Sequence, residues 1–381
     1  MRKIASHYLL TPDGLRSDRV VTIADDGEIL SVETCREIDR LAGVEFYSGI
    51  LLPGFVNAHC HLELSAMQGM IPEGCGFAGF ARGMRRLRVR CTEEELRRAA
   101  ALADSRMWQE GVQVVGDVCN GPITFPIKAA SKICYHSFIE LFGVGKTDSV
   151  AADRLAEQAR SMGLRATVTP HSLYAVGREA FASIVEKADN EPLSLHFLES
   201  EQEQELFHRT GALWKWYVEQ GLDPDFLDGG SPTERLLREL PHDRRLLLVH
   251  DCRLDSTSFD RIRAHFESAV SWVFCPGSNR YISGERPPWK LLRDRGARIA
   301  LGTDSLASNR TLSMVAELSL LPEIPLEERL RWATQGGAEA LGIDDRCGRI
   351  EPGMRPGLVL LEGVDYAKME LTPQSHARRI V

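Results

Sequence analysis

The stretch Leu51-Leu52-Pro53-Gly54-Phe55-Val56-Asn57-Ala58-His59-Cys60-His61-Leu62-Glu63 decides the reading of this chain. An apolar run ends here in two histidines separated by one residue. Residues two apart on a β-strand share a face, so His59 and His61 can present both imidazoles to one point. Neutral imidazole is the commonest protein ligand for a metal ion. A lone His-x-His also fits a strand end with one packed ring, because so short a spacing occurs by chance. The decision rests on whether further ligand-type residues close later apolar runs.

Such residues recur. From residue 51 onward, strand patterns alternate with helical ones. Strand candidates cover 51–58, 112–118, 132–139, 165–170, 193–197, 245–249, 269–274 and 297–303. Helical stretches lie between them, such as 93–110 with Thr92 as N-cap and Gly111 as stop. Others cover 150–162, 178–188, 232–240, 287–295 and 312–320. Eight strand–helix units over roughly 250 residues predict an α/β fold of the (β/α)8 TIM-barrel type. A doubly wound open sheet is the alternative, but no Gly-x-Gly-x-x-Gly opens a helix after a strand.

The two ends read differently. Short β-branched runs separated by Thr11-Pro12-Asp13-Gly14 and Asp25-Asp26-Gly27 predict hairpins before residue 50. Leu358-Val359-Leu360-Leu361 predicts a strand in a tail of similar character. The expected organisation is a small β-sandwich domain built from residues 1–50 and 346–381 around a barrel over 51–345.

In a barrel the chemistry gathers at the C-terminal ends of the strands. The first strand ends in His59 and His61, and the fourth runs into His171. The fifth ends in His196 with Glu199 three residues on, the sixth in His250, and the eighth in Asp304. Five of the 11 histidines thus fall at expected strand ends, too many for chance core histidines. The remaining six (7, 136, 208, 242, 265 and 376) show no such pattern and read as ordinary surface or core residues. Three imidazoles and one carboxylate form a shell for zinc or ferrous iron with a place left for water. Such an ion brings the pKa of its water toward neutrality, and a general acid/base must then move protons. Glu199 is a candidate for that role. Glu201, Glu203 and Glu205 follow closely, and composition alone fits a solvated helix start equally well.

Composition narrows the classes. The chain has 381 residues, 43% hydrophobic and 26% charged, within the ordinary range for a soluble globular protein. A formal net charge of −8 gives no electrostatic case for nucleic acid or an anionic membrane surface. Nine scattered cysteines with no Cys-x-x-Cys pair argue against a disulfide framework and for a reducing compartment. The first ten residues lack an apolar core for a signal peptide, and no apolar run approaches ~18 residues, so the expectation is cytoplasmic with no membrane span.

These residues resemble the amidohydrolase superfamily, within it the cytosine deaminase-like and adenosine-nucleoside deaminase-like branch. The resemblance lies in Pro53–His61, Pro170-His171-Ser172-Leu173-Tyr174, His196-Phe197-Leu198-Glu199 and Val249-His250-Asp251. It continues in Phe274-Cys275-Pro276-Gly277-Ser278-Asn279, Leu301-Gly302-Thr303-Asp304-Ser305-Leu306-Ala307-Ser308-Asn309, and Gly348-Arg349-Ile350-Glu351-Pro352-Gly353 near the tail. The resemblance implies that His59, His61, His196 and Asp304 hold one divalent ion, zinc first and Fe(II) second. It implies that Glu199 shuttles protons, that His250 hydrogen-bonds the attacking water or tetrahedral oxygen, and that Asp304 also acts as base. His171 would touch substrate, while Ser278 and Asn279 would shape the site. Residues 165–171 contain no lysine to bridge a second metal. Glu63 reads either as a substrate contact or as a residue that holds the loop, the loop being favoured, and Gly357 stands where the family usually has an aspartate.

The implied reaction is hydrolytic removal of an exocyclic amine from a nitrogen heterocycle, an adenosine-derived nucleoside such as S-adenosylhomocysteine or aminodeoxyfutalosine, with free bases and pterins as alternatives. Rival readings are triazine-type dechlorination, cyclic-amide hydrolysis, and a catalytically silent binding protein. The expected partner is a small-molecule substrate, and a homo-oligomer is a family-level expectation. The basic stretch Arg82–Arg90 could meet a substrate carboxylate or form a solvated helix face.

Overall fold

The computed structural model describes residues 1–37, 42–87, 90–144 and 149–381. Two four-stranded parallel sheets form its centre. The first runs β6 (Phe55–Cys60), β7 (Val112–Cys119), β8 (Cys134–Leu141), β9 (Arg165–Pro170). The second runs β10 (Leu193–Phe197), β11 (Leu246–His250), β12 (Val270–Phe274), β13 (Ile299–Leu301). Parallel bridges Cys60↔Asp304 and Ser172↔His196 join the sheets at both seams and close an eight-stranded barrel. Its interior is filled by alternate residues, among them Val56, Ala58, Val114, Phe138, Leu247, Val249, Val273 and Ala300. These strands are apolar on both faces because helices pack outside them, as all-parallel sheets require.

The expected strand and helix positions recur with edges shifted by a few residues. The helix Glu93–Gln109 begins at Thr92, whose hydroxyl accepts from the Glu95 amide while the Glu95 carboxylate accepts from the Thr92 amide. This capping box is the local reason the helix starts there.

The expected strand over 51–58 is two strands. Residues 51–53 belong to β5 (Val44–Pro53), which pairs with β1 (Arg2–Thr11) and antiparallel to β14 (Leu358–Asp365). The apolar run is continuous because it crosses from one core into another, and periodicity cannot mark that crossing. Gly54 makes the junction. A Cβ there would stand 2.5 Å from Gln113 Cβ and 2.7 Å from Pro356 O, so only glycine fits.

Both chain ends meet in one sheet of seven strands, in the order β15 (Glu370–Arg379), β14, β5, β1, β3 (Arg19–Ile23), β4 (Ile29–Thr34), with β2 (Gly14–Arg16) on β1. Hydrogen bonding runs through all seven. Ile4, Leu9, Val21, Ile23, Ile29, Leu51, Ile350 and Leu358 form its core. Among the described residues no helix is long and apolar enough to cross a membrane.

Candidate active site

His59 lies within β6, His196 within β10 and His250 at the end of β11, while His61 follows β6 directly. The eighth strand approaches the first closely: the amides of Thr303 and Asp304 both donate to His59 O at 3.0 Å. Gly302 permits this, since a Cβ there would stand 2.8 Å from His59 Cβ. Leu198, His250, Asp251 and Asp304 all carry positive φ although none is glycine. Backbone strain of this kind concentrates at functional sites.

The structure brings His59, His61, His196 and Asp304 together. The Nε2 atoms of His59 and His61 are 3.2 Å apart, and those of His61 and His196 are 3.3 Å apart. Asp304 Oδ1 lies 3.7 Å from His59 Nε2 and 3.4 Å from His61 Nε2. The donor set fits a divalent cation on its own chemistry. His196 Nδ1 donates to His171 O at 3.0 Å, which leaves the lone pair on Nε2, facing the other imidazoles. Asp304 Oδ2 accepts from Ser278 Oγ at 2.5 Å and Ser308 Oγ at 2.8 Å, which leaves Oδ1 toward the histidines. Burial pulls the His59 pKa down to about 4 and His196 well below the usual range, so both imidazoles stay neutral at physiological pH. Burial would raise Asp304, but His59 and the neighbouring His61 and His250 outweigh it and hold the carboxyl well below its usual range. His59 Nδ1 is buried without a hydrogen-bond partner among the described residues.

On the same rim, His250 Nε2 faces Glu199 Oε1 at 3.9 Å. His250 Nδ1 lies 2.7 Å from Asn279 Oδ1, and Asn279 Nδ2 donates to Cys252 Sγ at 3.0 Å. Glu199 is raised above the usual carboxylate range, chiefly by burial. Glu203, one of the acids that composition alone allowed as a solvated helix start, is 1% exposed.

His171 stands beside His196, with ring centroids 4.5 Å apart. Its Nδ1 is 2.6 Å from Oε1 of Glu140, a residue the sequence reading missed. The missed signal was Glu140 itself, the polar residue near the close of the third apolar run. Asn120 Nδ2 donates to the other Glu140 oxygen at 3.0 Å. Burial would lower His171, but Glu140 outweighs it and the imidazole is raised; Glu140, which burial would raise, is held well down by the same pair. Glu140, His171 and His196 lie close enough to suggest a second metal cluster. Their facing atoms are already committed to one another, so the trio reads as an ion pair bracing His196.

Two uncertain residues find places. Glu63 Oε2 accepts from the Asn120 amide at 3.1 Å, which ties the loop after β6 to the end of β7. Arg82, Arg85 and Arg86 are exposed on the helix Gly76–Leu87, while residues 88–89 of the basic stretch lie outside the described residues.

A closed parallel barrel whose strand ends gather three imidazoles, a fixed carboxylate and a facing acid–histidine pair is the architecture of a barrel hydrolase with a candidate metal centre. The chain belongs to the amidohydrolase family, whose profile matches residues 50–378. It is 28% identical over 413 residues to a 5-methylthioadenosine/S-adenosylhomocysteine deaminase of Halobacterium salinarum, covering 97% of this chain and 85% of that protein. The fold matches Helicobacter pylori aminofutalosine deaminase with TM-score 0.82 at 23% identity, over 95% of this chain and 92% of that one. It also matches an adenosine deaminase of Xanthomonas campestris, solved with bound zinc, with TM-score 0.75 at 23% identity, over 98% and 86% of the two chains.

Proposed function

We propose that this protein is a metal-dependent hydrolytic deaminase that replaces the exocyclic amine of an adenosine-type nucleoside, or a related base, with oxygen and releases ammonia. The observation that carries the reading is the half-buried Glu199 facing His250 across the rim of the His59, His61, His196 and Asp304 cluster. A relative named as a nucleoside deaminase over nearly the whole chain supports the substrate class.

A zinc ion, with ferrous iron as second choice, held by His59, His61, His196 and Asp304 would supply a water acidified toward neutral pH. The remaining work falls to side chains. Asp304, with Oδ2 occupied by two serine hydroxyls, keeps Oδ1 to accept a proton from the attacking water. As that water adds to the amine-bearing carbon, Glu199 delivers a proton to the ring nitrogen. The tetrahedral centre then collapses: its hydroxyl proton passes to Glu199 and on to the amine, the carbon–nitrogen bond breaks with loss of ammonia, the oxygen stays as a carbonyl, and the proton on Asp304 returns to Glu199. Burial raises Glu199 above the usual carboxylate range, the direction that favours its holding a proton to deliver. His250, held at Nδ1 by Asn279, turns Nε2 toward the incoming oxygen. His171, held at Nδ1 by Glu140, turns Nε2 toward the substrate.

The test is ammonia release from aminated purines, nucleosides, pterins and pyrimidines, using zinc- or iron-loaded protein and its Glu199→Gln variant. Turnover lost in the variant, with metal content unchanged, supports the reading. Turnover retained in the variant removes Glu199 from the mechanism. Silence across the panel with one metal per chain points to dechlorination or cyclic-amide hydrolysis.

A further inference from the structure

We infer that Glu203 is a positioning residue, whose buried carboxylate clamps the turn that aims Glu199 into the site. The inference rests on the proposed role of Glu199.

The helix Glu201–Phe207 opens with Ser200-Glu201-Gln202-Glu203, a pattern that reads as an ordinary capping box. That box is not formed. Ser200 makes no side-chain cap, and its hydroxyl is buried without a partner among the described residues. The Glu203 side chain reaches past the cap position instead. Its Oε1 accepts from the Glu199 amide at 2.7 Å and its Oε2 from the Leu198 amide at 3.0 Å. Leu198 has φ +47, so the two successive amides converge in a concave turn of the kind that binds anions. On the other side of the turn, Leu198 O accepts from the Arg253 amide at 2.9 Å, three residues after His250. The turn is thereby held between the Glu203 carboxylate and the segment that carries His250.

A helix-start glutamate has no reason to be buried, and this one is 1% exposed. Leu198 is itself 1% exposed, so its amide lies away from water. A buried carboxylate with one oxygen on each amide does what water cannot: it fixes the direction of the Glu199 Cα–Cβ bond. The separation between Glu199 and His250 then follows from the backbone rather than from a mobile rotamer. A proton shuttle must meet two successive acceptors, and misplacement by about 1 Å can cost on the order of a hundredfold in rate.

The experiment is a double-mutant cycle with a readout that needs no substrate. Glu203→Gln keeps the shape but sets an NH2 group against one amide. Hydrogen–deuterium exchange is followed on peptides covering 196–200, and ammonia release is assayed with adenosine and S-adenosylhomocysteine. The expected result is faster exchange at Leu198 and Glu199, and kcat lower by about 10- to 100-fold with KM and metal content within about twofold. In the Glu199→Gln background the same substitution should cost nothing further, because the clamp acts only through Glu199. Unchanged exchange at 198–199 overturns the inference, as does an equal further loss on top of Glu199→Gln. Full turnover in Glu199→Gln alone would remove the role of Glu199, while exchange would still report whether the clamp exists. Should Glu203→Gln fail to fold, Glu203→Asp keeps the charge but is too short to span both amides. It should show the same pattern to a smaller degree, and wild-type values in that variant overturn the inference.

Discussion

His250 Nδ1 meets Asn279 Oδ1 at 2.7 Å, and this contact turns the other ring nitrogen of His250 toward Glu199. The ring is fixed in tautomer and direction by a residue within the helix Pro276–Ile282, which follows the next strand. Asn279→Ala should therefore lower kcat by about 10- to 100-fold with little change in KM, since general acid–base contributions are typically 10²–10⁴-fold and only orientation is lost. Steady-state kinetics with unchanged metal content would check this. A rise in KM alone would contradict it.

Asp304 is oriented by two hydroxyls on one oxygen. Removing both with Ser278→Ala and Ser308→Ala should weaken metal affinity by about 10- to 100-fold, the usual effect of losing partners behind a ligand. Competition with a chromogenic chelator measures this. Unchanged affinity would show that Asp304 needs no such support.

Chelation should abolish turnover, and zinc or ferrous iron should restore it. Binding to the folded state alone also predicts a thermal shift. Metal at a thousand times its Kd stabilises by about 4 kcal/mol, which a melting experiment with and without chelator would show.

Asp117 and Lys128 form an ion pair at 2.8 Å with neither side chain exposed, and Asp117 Oδ1 also accepts from the Leu62 amide next to His61. Lys128→Met leaves a buried carboxylate unpaired and should cost about 3–5 kcal/mol in urea unfolding. Adding Asp117→Asn should recover part of the loss. A loss no larger than that of a surface substitution would argue against the pair.

Glu317 is buried and pushed up to about 8, chiefly by desolvation, although it accepts from the Gly277 amide and Asn309 Nδ2, each at 2.7 Å. Because its folded pKa lies above the unfolded carboxylate value near 4.3, its stabilising contribution is fully present below that value. It is lost as pH rises toward about 8. Relative to Glu317→Gln, the wild-type protein should therefore lose stability between pH ~5 and ~8. Urea unfolding of both proteins at the two pH values, with equal metal content, tests the slope. A constant difference would show that Glu317 ionises normally.

What the sequence determined by itself was the order of strands and helices, the barrel, and the residues that close its strands. Those signals are local. Strand and helix periods, the Thr92 cap and a polar residue ending an apolar run can each be read within a dozen positions. The convergence of His59, His61, His196 and Asp304 was legible only because a barrel gathers all its strand ends at one face. Tertiary structure alone decided the rest. It assigned Leu51–Pro53 to the end sheet, because an apolar run carries no mark of which core buries it. It paired Glu140 with His171, Asp117 with Lys128, and the Glu203 carboxylate with the turn before Glu199. Glu140 and Asp117 lie in apolar runs and His171 closes one, while Lys128 and Glu203 are spelled like surface residues. In every case the partner is set by chain segments brought together only on folding, and no local pattern names it.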